Sequence, residues 1–183
     1  MRGAEDERGL VKGWLEAVSR AEVRAELEAV YAAVAEAIAE RGPACWASGR
    51  CCNFEKTGHL LYVTGLEAAY TVWMGREREG GAKAETQSVR SGLSLEVVQN
   101  GSGGGAGACP FQTGNLCGVH EIKPLGCRVY FCDRSAQGWQ QELSERLLGE
   151  VRAIHERHGV EYRYGEWRGM LGAISDSGFW IAD

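Results

Sequence analysis

Cysteine is the residue type with the most chemistry to offer in this 183-residue chain, and its seven cysteines are not scattered. Cys45, Cys51 and Cys52 lie in CWASGRCC. Four more follow in the run C-P-x6-C-x9-C-x4-C, through Cys109, Cys117, Cys127 and Cys132. A stretch of 56 residues separates Cys52 from Cys109. Thiolates this closely spaced, on irregular glycine-bearing backbone, can converge on one ion or cluster. Soft sulfur donors select zinc, cuprous copper or iron–sulfur clusters over hard cations. A Cys followed directly by Pro also occurs in ferredoxin-type binding runs, and Pro stiffens the approach of such a ligand.

The neighbours suit a thiolate site. Arg50, Lys56, Lys123, Arg128 and Arg134 all lie within a few residues of a cysteine, where they would offset negative sulfur and lower thiol pKa. Trp46, Phe54, Phe111, Tyr130 and Phe131 could wall such a site from water. Three plainer readings compete: buried small apolar side chains, a disulfide framework, and a reactive thiol without metal. The odd count and the polar start, MRGAEDERGLVKGW, speak against disulfides. Clustering into two short runs favours ligands over the other two.

Composition bounds the rest. The 25 acidic and 20 basic residues give a net charge of −5, so no nucleic-acid partner is expected. No apolar stretch reaches the length of a membrane span, and the expected compartment is the cytoplasm, where cysteines more often bind metal or catalyse than cross-link. A hydrophobic content of 44% is enough to build a core without cross-links.

The elements that must position the cysteines follow from periodicity. Val23, Leu27, Val30, Tyr31, Val34 and Ile38 make one apolar face of a helix predicted from about Trp14 to Arg41, which Gly42-Pro43 stops. A short strand is expected from His59 to Val63. Thr64-Gly65-Leu66-Glu67 reads as a capping box opening a helix to about Arg78. Residues 80–92 read as a loop, and Leu93, Leu95 and Val97 as a strand face. NGSGGGAGA reads as a hinge; it formally fits a phosphate-binding G-x-G-x-x-G/A, but Cys-Pro follows where a helix would be required. Leu143, Leu147, Val151 and Ile154 mark a helix ending near Gly159, where His155 and His158 read as solvated C-terminal cations. A short strand at Val160–Tyr164 and a helix from Glu166 through Trp167, Leu171 and Ile174 complete the chain. The expected fold is α+β and mainly α-helical, with helices packed around two irregular cysteine-rich segments and a few short strands. It forms one domain: an N-terminal helix over 1–42, a cysteine-cluster core over 43–134 and a helical part over 135–183.

Over residues 45–132 the two segments resemble the YkgJ-type CxxCxxCC family, a zinc- or iron-chelating domain. Its pattern opens with C-x2-C-x2-C-C, and Cys45, Cys51 and Cys52 fall on the first, third and fourth of those cysteines. Cys109-Pro110-Phe111, Leu116-Cys117, Pro124-Leu125-Gly126-Cys127-Arg128 and Cys132 follow the later part in order. Ser48 stands where the second cysteine belongs, Lys123 replaces the Arg before Pro, and Val119-His120 takes the place of a hydrophobic-aromatic pair. The resemblance implies that all seven cysteines, Cys45, Cys51, Cys52, Cys109, Cys117, Cys127 and Cys132, are metal ligands. Two full four-ligand sites would need an eighth donor, such as His120. A single four-cysteine site with three spare thiols is equally allowed.

The expected function is therefore metal binding through a cysteine cluster, with an iron–sulfur cluster preferred to zinc. Vicinal cysteines, Cys-Pro and wide irregular spacing suit a cluster better than the C-x2-4-C pairs of zinc knuckles. Its role would be electron transfer, metal handling or structure. The alternatives are a zinc-stabilised interaction module, and an enzyme or accessory of the kind related to flagellin lysine N-methylase, in which this cysteine domain accompanies methyl transfer. The metal ion or cluster is the one partner the residues name.

Overall fold

The computed structural model describes residues 2–82 and 107–177. The fold is mainly α-helical, with two short antiparallel ribbons. The strand expected around Leu93–Val97 and most of the glycine hinge lie outside the described residues.

The helix expected over 14–41 starts earlier and is two helices, α1 (Arg2–Ser19) and α2 (Ala21–Arg41). Arg20 between them is extended, with φ −79° and ψ 127°. Arg24 holds the break: its guanidinium donates to the carbonyls of Val18 and Ser19, both at 2.7 Å, satisfying acceptors that α1 leaves open. The apolar phase records the break as well. Val11, Trp14, Leu15 and Val18 are fully buried on one face, and the next core residue, Val23, comes five positions on rather than three or four. Gly42, at φ +61°, ends α2 by donating to the Ile38 carbonyl at 2.8 Å, as a left-handed cap does.

A one-turn helix α3 (Phe54–Thr57) leads to strand β1 (Tyr62–Thr64) and helix α4 (Gly65–Ala82). The capping box is present. The Thr64 N–H donates to Glu67 Oε2 at 3.0 Å, and the Glu67 N–H donates to Thr64 Oγ1 at 3.4 Å. Gly65 is required by packing, because a Cβ there would lie 2.0 Å from Trp14 Cε2. That contact seats α1 on α4, and the Trp14 indole donates to the Glu161 carbonyl at 3.0 Å.

Strands β2 (Gln112–Thr113) and β3 (Leu116–Cys117) form a hairpin, with Gln112 opposite Cys117. Helix α5 (Leu125–Val129) and a 3-10 turn at Arg134–Ala136 lead to the long helix α6 (Gln137–Arg157). The last strand is β4 (Tyr164–Glu166) rather than 160–164, and it pairs antiparallel with β1, with Val63 opposite Gly165. Helix α7 (Trp167–Asp176) closes the described chain, with the Glu166 side chain accepting the Gly169 N–H at 2.9 Å. One apolar core runs through α1, α2, α4, α6 and α7, and it includes Cys52 and Cys109. The cysteine segments are thus fixed to the edge of a helical frame.

Candidate metal centre

Backbone contacts bring the two cysteine segments together before any sulfur is considered. The Cys109 N–H donates to the Cys52 carbonyl at 2.8 Å, across the 56 intervening residues. Gln112 reaches the first segment from the hairpin, its Nε2 donating to the Gly49 carbonyl at 3.3 Å and the Gly114 carbonyl at 2.9 Å. The approach is close: a Cβ on Gly49, whose φ is +69°, would stand 2.9 Å from Gln112 Nε2 and 3.0 Å from Asn115 Cα. Ala47, two residues earlier, has φ +47°, a left-handed conformation uncommon for a side chain with Cβ. The tip of CWASGRCC is held bent against the hairpin.

Four sulfurs meet there. Cys51 Sγ lies 3.8 Å from Cys52 Sγ, and Cys109 and Cys117 lie close enough to act on the Cys52 thiol. Cys52 and Cys109 are buried, Cys117 is half-buried and Cys51 reaches solvent. Cys127 stands beside this group on α5, close enough for the charges of Cys109, Cys117 and Cys51 to act on it. Cys132 is set apart, with Ser48 Oγ at 3.8 Å from its Sγ, and Cys45 is exposed. The seven predicted ligands therefore separate into an inner four, an adjacent Cys127, Cys132 beside Ser48, and an exposed Cys45.

The electrostatics separate them too. Hydrogen bonding from Cys52 pulls the Cys51 thiol down to about 6 and the Cys117 thiol to about 7, with Lys123 contributing to both. Cys109 is lowered by the same partner and by the Trp167 indole, which donates to its Sγ at 3.4 Å. Cys52 moves the other way, because its neighbours are better served if it keeps its proton. A thiol has one hydrogen and cannot donate to three sulfurs at once, so these four groups titrate together rather than one by one. Burial pushes Cys127 up, and the neighbouring sulfurs add to it. For these sulfurs to ionise together they need more positive charge than Lys123 lends, and a soft metal would supply it.

The donor set fits such a metal in kind. Backbone N–H groups at Phe111 and Val119 also stabilise the Cys109 and Cys117 thiolates, the sort of N–H···S bond that tunes thiolate sites. The contacts run pairwise through Cys52, however, and among the described residues no three Cys, His, Asp or Glu side chains form a group arranged to hold an ion as they stand.

α5, which carries Cys127, is anchored from the core. Glu67 is buried, and while its Oε2 serves the capping box its Oε1 accepts the Leu125 N–H at 2.7 Å. Thr71 Oγ1 donates to the Ile122 carbonyl at 2.9 Å. One carboxylate thus ties the start of α4 to the start of α5.

Several expectations need adjusting. Phe54 and Phe111 are buried beneath the cysteines, but Trp46 and Tyr130 are 64% and 41% exposed, so the wall is open on that side. His120 is exposed and contacts Lys123 Nζ at 3.2 Å through Nε2; Lys123 lowers its pKa. His158 pairs with Glu26 at 2.9 Å. His155 does not lie on a solvated face, being fully buried with its Nε2 unpartnered among the described residues. Trp167 was legible as a core residue and its bond to Cys109 was not, since they lie 58 positions apart and no local pattern announces an indole–sulfur contact.

No protein-family model, no curated protein and no solved structure matches this chain.

Proposed function

We propose that this chain is a cysteine-cluster metal-binding protein of the YkgJ type that holds an iron–sulfur cluster in preference to zinc. Cys51, Cys52, Cys109 and Cys117 are its inner ligands and Cys127 is the nearest further thiol. The observation that carries this reading is the meeting of three sulfurs at Cys52 from two distant segments, fastened by the Cys109–Cys52 backbone bond. N–H···S donation from Trp167 and from backbone supports a cluster, whose sulfurs accept such bonds and whose potential responds to them. When bound, the cluster would supply electron-transfer capacity. The chain's own residues orient the thiols, offset their charge through Lys123, and bury Cys52 and Cys109 away from water. Zinc in the same thiols is the second reading, favoured by the anchoring of the site to the helical core.

The test is anaerobic purification followed by iron, zinc and acid-labile sulfide analysis with a visible absorption spectrum. Iron with sulfide and a brown charge-transfer spectrum is expected. Cys109→Ser should lose the metal and Cys45→Ser should keep most of it. Zinc in a colourless protein would replace the cluster reading, and metal-free protein with seven reactive thiols would overturn both.

A further inference from the structure

A pocket of about 530 Å3 opens on the outer side of the cysteines. A bound ion needs far less space, and this volume lies in the range of roughly 300–1,000 Å3 that organic ligands occupy. Its walls are mainly apolar. One is the flank of α2 at Val34, Ala35, Ile38 and Ala39, and the rim carries Trp46 and Leu116, which are 64% and 67% exposed. Large apolar side chains left this open around a concavity mark a place where something else completes the surface.

Apart from the thiols of Cys45, Cys51, Cys117, Cys127 and Cys132, which also line the pocket, its charged side chains are biased to one sign. Lys123 and Arg128 both line it, and neither has a carboxylate partner among the described residues. Arg128 is held rather than free. Its Nε donates to the Lys123 carbonyl and its Nη2 to the Glu121 carbonyl, both at 2.7 Å, and its guanidinium lies 4.1 Å over the Tyr31 ring. Of five N–H donors, these two bonds leave three to offer. The acidic residue at the rim, Glu121, is engaged by Arg78 at 2.7 Å. The same bias holds more widely. Residues 44–62 and 107–134 together carry five basic and three acidic side chains in a chain whose net charge is −5.

From these atoms we infer that the pocket is a binding site for a small organic anion with an apolar body, a carboxylate whose charge meets Arg128 and Lys123 while its hydrocarbon lies along α2 and under Trp46. A planar guanidinium fixed by two bonds to carbonyls suits a carboxylate. The inference goes beyond the metal reading: the pocket borders the proposed metal site through Cys51, Cys117 and Cys127, while Lys123 and Arg128 ligate nothing in that reading.

Decanoate, decanol and decylammonium, titrated into the full chain by calorimetry, separate the possibilities, with metal content measured on each sample. Decanoate should bind saturably and roughly ten-fold or more tightly than either of the others, as expected of charge-assisted bonds. Lys123→Gln should erase that preference and Lys123→Arg should keep it, with metal content read on both variants because Lys123 also acts on the charge of the Cys51 and Cys117 thiols. Ala39→Trp, at an exposed position on the α2 wall, should block decanoate while leaving metal content unchanged. Arg128→Gln should act like Lys123→Gln, with circular dichroism reporting whether the Glu121–Lys123 turn survives. Equal binding of all three probes, no saturable binding, or decanoate binding indifferent to Lys123→Gln and Ala39→Trp would each overturn the inference. So would capture of an acidic oligoglutamate peptide where decanoate fails, which would make the face a protein-docking surface instead.

Discussion

The helical frame and the cysteine edge are built on opposite logic. The frame is held by apolar burial: Trp14, Leu15, Leu27, Leu66, Ile154, Trp167 and Leu171 are essentially inaccessible, and its helices would pack much the same with other side chains of similar volume. The edge has little of that. Gly49 lies against Gln112, Ala47 sits in a left-handed conformation, and a few N–H···O and N–H···S bonds hold four thiols together. Apolar burial resides in the first region and the clustered thiols in the second. The two meet at Glu67, at Trp167 and at the buried thiols of Cys52 and Cys109.

Breaking the frame should therefore cost far more stability than altering the edge. Trp14→Ala removes the indole that fills the space over Gly65 and the bond to the Glu161 carbonyl. It should lower unfolding free energy by about 3–5 kcal/mol, read by denaturant titration. Cys45→Ser should change it by less than about 0.5 kcal/mol. If the two variants proved comparable, the division of labour would be wrong.

The frame also has its own acid sensitivity. His155 is buried, and burial takes its pKa from the ordinary 6.5 to about 4. The unfolded chain binds a proton there that the folded chain refuses. Stability is thus undiminished above pH 6.5 and falls as pH drops from 6.5 toward 4, by up to about 3 kcal/mol. Melting curves across that interval should show the slope, and His155→Leu should flatten it. A slope unchanged by that substitution would place the sensitive group elsewhere.

Glu67→Gln tests the joint between the regions. An amide presents one acceptor oxygen where the carboxylate presents two, so either the Leu125 N–H or the Thr64 donors lose their partner. A loss of about 1–3 kcal/mol is expected, together with weaker metal retention, because α5 carries Cys127. A small effect of the opposite sign is expected at Tyr31, whose buried hydroxyl has no hydrogen-bond partner among the described residues. Tyr31→Phe removes an unsatisfied group, leaving stability unchanged or raising it by about 1 kcal/mol. A clear loss would show that the hydroxyl is satisfied in solution.

The same division governs what the sequence made legible. Local signals located α4 by its capping box, α6 by its apolar spacing and α7 by Glu166 and Trp167. They overran the break at Arg20 because Ser19-Arg20 contains no Gly or Pro, and the five-residue step from Val18 to Val23 was its only trace. The strand expected at 160–164 moved to Tyr164–Glu166 because its register is set by pairing with β1, a distant partner. At the edge, spacing identified the thiols but could not sort them. Which four meet depends on the Cys109–Cys52 backbone bond and on the Gly49–Gln112 contact, and neither is written in local pattern.

That backbone bond also has a consequence in time. Cys51 and Cys52 leave the ribosome before the residues that enclose them. At roughly 5–20 residues per second, the 56 residues before Cys109 take roughly 3–11 seconds to follow. For that interval the vicinal pair is an open, unpartnered dithiol. On the proposed metal reading, each newly made chain passes through a short period in which the wrong metal, or an oxidant, can reach the thiols first.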